Sequence, residues 1–133
     1  MKKYKINKEK YKINRKKLIN AFLSLEKAVK EDINEYVQDS VIQRFEFTFE
    51  LFRKTLKFYL LLHWFEENTP RSIMKKSFEI NFLDEIEIYI DMIDIRNLTS
   101  HTYDSNLAID VYNFIVKNYK KIGKVINKLK IDI

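Results

Sequence analysis

The chain contains no cysteine, which excludes disulfides, thiolate catalysis and Cys-based zinc sites. It has one glycine, Gly123, and one proline, Pro70, too little turn chemistry for an all-β protein. Histidine occurs only as His63 and His101, too few for a His-rich metal centre within one chain, so no metal and no cofactor is expected. The longest apolar run, Phe58 to Leu62, falls far short of the roughly 20 residues that span a bilayer, so no membrane partner is expected. The N-terminus is basic but lacks the apolar segment and small-residue cleavage site of a signal peptide. The expected location is the cytoplasm.

What is present suits one helical domain. The 133 residues are 46% hydrophobic and 33% charged, enough to bury a single core. The net charge of +6 is unevenly placed: residues 1–17 carry nine Lys/Arg against Glu9 alone, and the remainder is slightly acidic. Lysine outnumbers arginine twenty to five, and Ile, Asn, Tyr and Phe are abundant, the bias of an AT-rich genome. The basicity therefore belongs to an N-terminal arm, where it would add salt-dependent, non-specific affinity for RNA.

Read in order, residues 1–17 form that arm and residues 18–133 the bundle. The arm holds an imperfect heptad repeat, Lys3-Tyr4-Lys5-Ile6-Asn7 returning as Lys10-Tyr11-Lys12-Ile13-Asn14. Two copies are too few for a repeat fold, and a frayed or partly helical arm is expected, removable without unfolding the bundle. Leu18, Phe22, Leu25 and Val29 then recur at helical spacing. A second helix, about Asn34 to Trp64, carries the stripe Val37, Val41, Phe45, Phe49, Phe52, Leu56 and Leu60, with Glu46, Glu50 and Arg53 spaced for helix-surface ion pairs. Thr69-Pro70 reads as an N-cap with proline at the first helical position, opening a short third helix. A fourth carries Leu83, Ile86, Ile90 and Ile93; a fifth runs from Ala108 through Leu129, with Gly123 marking either a close helix contact or simple tolerance. The expected fold is all-α, an antiparallel four- to five-helix up-and-down bundle that self-associates.

The fourth helix delivers the stretch Arg96-Asn97-Leu98-Thr99-Ser100-His101-Thr102-Tyr103. Were it helical through His101, Asn97 and His101 would share a face and Arg96 would line up with Tyr103 two turns on. A guanidinium that binds phosphate beside an amide-oriented imidazole is the chemistry of a phosphodiester site. An arginine and a histidine near a helix C-terminus also suit the helix dipole with no further role, and spacing alone does not separate the two readings.

Three segments together carry a family likeness: Val41 to Leu51, including Arg44-Phe45-Glu46-Phe47-Thr48; Thr69-Pro70-Arg71; and Arg96 to Asp104. Over roughly Leu18 to Leu129 the chain resembles the nucleotidyltransferase substrate-binding proteins of the HEPN superfamily, which are similar to the toxin half of HEPN/minimal-nucleotidyltransferase (MNT) toxin–antitoxin pairs. The resemblance implies a homodimer that brings two copies of the Arg-x4-His-x-Tyr motif into one cleft, and a small MNT-type nucleotidyltransferase as partner. It further implies metal-independent cleavage of RNA, tRNA among the candidates. Arg96 would bind the scissile phosphate and His101 would move protons, with Asn97 helping to orient His101 and Tyr103 as AMP acceptor. An adenylyl group on Tyr103 would place an anion beside Arg96 and fill the cleft. The same residues also serve an alternative, a non-catalytic subunit that presents substrate to a nucleotidyltransferase in trans.

Overall fold

The computed structural model describes residues 1–129 as six α-helices and one 3₁₀ turn, with no strand among them. Helix α1 spans Lys2–Val29 and α2 spans Glu35–Leu62, each of 28 residues. The two pair antiparallel, as their contacts record: Tyr4 meets Trp64, Tyr11 meets Tyr59, and Arg44 Nη1 donates to the Ser24 carbonyl at 2.8 Å. The seam on α1 is a seven-residue series, Tyr4, Tyr11, Leu18 and Leu25, of which the last three are fully buried. A strict heptad keeps one stripe facing a partner helix, which is why this pair packs along its whole length.

The arm expected over residues 1–17 is the first half of this continuous helix, and no break falls at residue 17. The reason lies in the heptad repeat itself. Its tyrosines point inward, Tyr11 lying fully buried against Tyr59 with ring centroids 5.6 Å apart, and its isoleucines Ile6 and Ile13 point out. Arg15 Nε ties the same helix to the Leu129 carbonyl at 2.9 Å.

Helix α2 is the element the others surround. Asn34 caps it, accepting from the Val37 amide at 2.9 Å, and it ends at His63, after which Trp64 takes φ 67°, a left-handed conformation rare for a large side chain. Helix α3, Pro70–Glu79, begins with a capping box between Thr69 and Ser72 and with proline in the first turn. Helix α4 spans Glu87–Leu98, so Leu83 and Ile86, expected inside it, precede it instead; Leu83 is buried all the same. Helices α5, Ser105–Asn118, and α6, Lys120–Lys128, divide at Tyr119 the segment expected as one helix.

The centre of the core is aromatic. On α2, Phe45 stacks on Phe49, Phe49 meets Phe52 at a tilt, and Phe52 stacks on Tyr89 of α4, all fully or almost fully buried. Each such side chain contributes on the order of 1.5–3 kcal/mol by leaving water. Gly123 has a packing reason: a Cβ there would stand 2.7 Å from Cζ of Phe22, so the missing side chain lets α6 close on α1. This row and the α4–α5 turn together fix where Arg96 and its neighbours emerge.

Candidate functional site

Helix α4 ends at Leu98, and Thr99–His101 continue as a 3₁₀ turn. The tightening changes the geometry expected for an uninterrupted helix. Arg96 does not pair with Tyr103, and among the described residues no hydrogen bond joins Asn97 to His101; Asn97 is exposed, and its carbonyl accepts from Ser100 Oγ at 3.3 Å. The turn is held by its own side chains: Thr99 Oγ1 donates to the Arg96 carbonyl at 2.7 Å, and Thr102 Oγ1 to the Thr99 carbonyl at 3.2 Å. Asp104 then caps α5, accepting from the amides of Asn106 and Leu107. Hydroxyl and carboxylate side chains of this kind satisfy the helix-end groups that α4 and α5 leave open.

The turn projects His101 and Tyr103 together. Both are exposed, Tyr103 at 87%, and their rings meet edge to face with centroids 6.2 Å apart. Arg96 sits behind them, partly buried against α2. Its Nε lies 3.2 Å from Glu50 Oε1 and its Nη2 3.6 Å from Glu46 Oε1. Arg96 Nε is wholly removed from solvent without a hydrogen-bond partner of acceptable alignment, so the contact with Glu50 is one of charge rather than a formed hydrogen bond. Glu50 is shared: its other oxygen accepts from Arg53 Nη2 at 3.2 Å. Glu46 is shared too, its second oxygen lying 3.0 Å from Thr99 Oγ1, whose one proton it shares with the Arg96 carbonyl.

Two arginines and two glutamates thus form a locally neutral chain that runs from α2 to the turn before His101. Sequence spacing singles out Arg96 and His101 and assigns Glu46 and Glu50 to ordinary surface pairs with Arg53. Only the Glu50–Arg53 pair is of that kind. Glu46 and Glu50 sit one turn apart on α2, each next to a buried phenylalanine, and what they meet across the bundle is not written in α2. Thr99, which joins Glu46 to the turn, was also missed, although it is buried.

An open groove of about 390 Å³ runs beside the turn, lined by Asp39, Ile42, Gln43, Glu46, Thr99, Thr102 and Tyr103. A second hollow, about 640 Å³, lies on the other side of Tyr103 toward the start of α2 and includes Asn34, Gln38 and Ile109. Tyr103 stands on the ridge between them. Arg96 and His101 line neither hollow.

The helical bundle that carries this turn has relatives. Residues 14–131 match the family described as nucleotidyltransferase substrate binding protein like, and the chain belongs to that family. A curated relative, "Probable ribonuclease HepT" of Haemophilus influenzae, is 31% identical over 118 residues, covering 76% of this chain and 81% of the relative. The crystal structure of a Thermus thermophilus protein superposes with a TM-score of 0.79 at 30% identity, covering 85% of this chain and 98% of that one. The protein HI0074 of Haemophilus influenzae, whose structure was described as the fold of a substrate-binding domain of a nucleotidyltransferase, superposes with a TM-score of 0.77 at 24% identity, covering 86% and 97%. The last likeness bears on fold alone.

Proposed function

We propose that the chain is a HEPN-type toxin, a metal-independent ribonuclease built on Arg96 and His101 and silenced when a partner minimal nucleotidyltransferase adenylylates Tyr103. The observation that carries the reading is the exposed His101–Tyr103 pair, 6.2 Å apart, on the turn that follows Arg96. Family membership and a relative named as a probable ribonuclease support it.

Cleavage without a metal needs a group to move a proton and a cation to meet the charge growing on phosphorus. The 2′-hydroxyl attacks the adjacent phosphorus, the bond to the 5′-oxygen breaks, and His101 moves the proton taken from the one or given to the other. An imidazole is suited to this because its charge changes near neutral pH. Arg96 supplies the cation. Its guanidinium has five N–H donors, of which the contacts to Glu46 and Glu50 engage only part, so phosphate binds at the remainder. Dimerisation places two such turns in one cleft, and the exposed Phe47 and Tyr36 on α2 give that face apolar area to bury.

In silencing, Tyr103 Oη attacks the α-phosphorus of a nucleoside triphosphate, pyrophosphate leaves, and the phenol proton passes to base. At 87% exposure Tyr103 is open to an enzyme that must surround it. The product carries an anion beside His101 and occupies the groove an RNA strand would use.

The clamp of Glu46 and Glu50 on Arg96 favours one other reading, a subunit that holds substrate for a nucleotidyltransferase and moves no proton. Expression of the chain alone separates the two. The toxin reading predicts growth arrest, relief by His101→Ala, and relief by a co-expressed MNT partner that adds one AMP to Tyr103 by mass. Harmless expression of unmodified protein leaves the substrate-holding subunit.

A further inference from the structure

The far end of α2 carries a second surface that the Arg96 motif does not use. Trp64, the only tryptophan in the chain, is 86% exposed and held by a left-handed backbone just past the helix end. Its ring stacks on that of Tyr4, with centroids 6.5 Å apart and planes inclined by 26°. Beside the pair lies a hollow of about 340 Å³ lined by Lys3, Asn7, Leu61, Phe65 and Glu66 as well as the two rings. Lys3, Tyr4 and Asn7 are the α1 residues that line it; Lys2, Lys5, Lys8 and Lys10 stand on the same stretch of helix against Glu9, and Lys57, one turn before Leu61, adds a cation on α2. Lys10 already lies over an aromatic face, its Nζ 5.7 Å from the Phe58 ring centre.

The indole stands open to solvent on a strained, left-handed backbone. Lysines flanking an open aromatic stack are the combination that single-stranded nucleic acid uses: phosphates run along the cations while a base lies on the ring. We propose that this end of the α1–α2 pair is a docking surface for single-stranded RNA, with a base stacked on Trp64 and the backbone following the lysines of α1. Glu66 opposes it and confines the phosphates to the α1 side of the hollow. An anionic membrane is the poorer fit, because the apolar stripe of α1 that would insert is spent on α2, with Tyr11 and Leu18 fully buried. Trp64 lies 18 residues from Glu46 along α2, roughly 27 Å, so the surface is distinct from the Arg96 turn. The inference deepens the reading of the chain as an RNA-acting protein: the surface is where a strand is held, not where it is cut.

The test uses the full chain carrying His101→Ala, which prevents cleavage, with a 12-nucleotide oligo(U) RNA. Trp64 reports on itself, since no other tryptophan contributes. Saturable quenching of its fluorescence by the RNA, absent with heparin at equal charge, is expected. In anisotropy with labelled RNA, Trp64→Ala is expected to weaken binding at least fivefold without changing the salt slope, and Trp64→Phe to retain most of the affinity. The double change Lys3→Gln and Lys5→Gln is expected to reduce the salt slope, and Glu66→Gln to tighten binding. Circular dichroism of each variant separates loss of the surface from loss of the fold. RNA binding with no quenching, or equal binding by Trp64→Ala, overturns the proposal, and quenching by anionic vesicles but not by RNA replaces it with a membrane surface. The nuclease reading fails separately: quenching intact while the unsubstituted chain cuts nothing rejects cleavage and keeps the docking surface.

Discussion

Replacing Tyr11 with alanine tests how far the folded unit extends toward the N-terminus. Tyr11 lies fully buried within the most basic part of the sequence, against Tyr59. Truncating a buried aromatic to alanine costs about 3–5 kcal/mol, through lost transfer free energy and the cavity left behind. At about 2.1 cal/mol/K of unfolding entropy per residue, a domain of this length loses roughly 11–18 °C in Tm for that cost. Ile13, two residues on in the same heptad repeat, is 54% exposed, and Ile13→Ala should change stability by less than about 0.5 kcal/mol. Thermal unfolding of both variants by circular dichroism reads the difference directly. The same reasoning makes a chain lacking residues 1–15 markedly less stable. Shifts of equal, small size in the two variants would refute the packing of α1 and restore the detachable arm.

Burial pushes the Tyr11 hydroxyl up to about 12, with Arg15 opposing and Tyr59 adding to the rise, and burial beside Asp84 raises Tyr89 further. A phenol whose folded pKa exceeds the unfolded value of 10.0 keeps its full contribution below pH 10 and loses it as pH climbs toward 12. The loss is about 1.4 kcal/mol per pH unit for Tyr11 alone, so Tyr11→Phe should flatten the decline in urea midpoint over that window; an unchanged decline contradicts the assignment. Gly123→Ala gains about 1 kcal/mol in helix propensity but sets a methyl 2.7 Å from Phe22 Cζ. A net destabilisation of about 1–2 kcal/mol in a denaturant titration is expected, and Phe22→Leu should reverse it; a stabilised Gly123→Ala protein would argue that the ring moves freely. Glu46→Gln removes a partly exposed partner of Arg96 and should cost under about 1 kcal/mol of stability, yet lower RNA cleavage at least tenfold because Thr99 and Arg96 lose their common anchor. Cleavage reduced no more than stability would leave Glu46 a structural residue.

Part of the fold is readable from periodicity alone. The α2 stripe from Val41 to Leu60 and the Thr69-Pro70 cap stand where their spacing placed them, because each depends on neighbours within one or two turns. The break at Tyr119 and the end of α4 before Thr99 were not readable. The first divides a pattern of threes and fours that stays apolar throughout, and the second depends on Thr99 finding Glu46 across 53 residues. The continuity of the N-terminal helix is hidden from composition for a related reason. Composition weighs the lysines that face water, whereas the fold of that segment is decided by Tyr4 and Tyr11 facing α2. At the candidate site, Arg96, His101 and Tyr103 were visible as residue types in a motif. Their partners Glu46 and Glu50 belong to another helix, and nothing local to α2 distinguishes them from solvated charges.

The central claim is tested most directly by incubating the purified chain, with Tyr103 verified as unmodified by mass spectrometry, with total tRNA in excess EDTA beside the His101→Ala protein. The account predicts cleavage by the first and none by the second. No cleavage by either, with the fold intact, would contradict it and shift the account to a subunit that holds substrate for another enzyme.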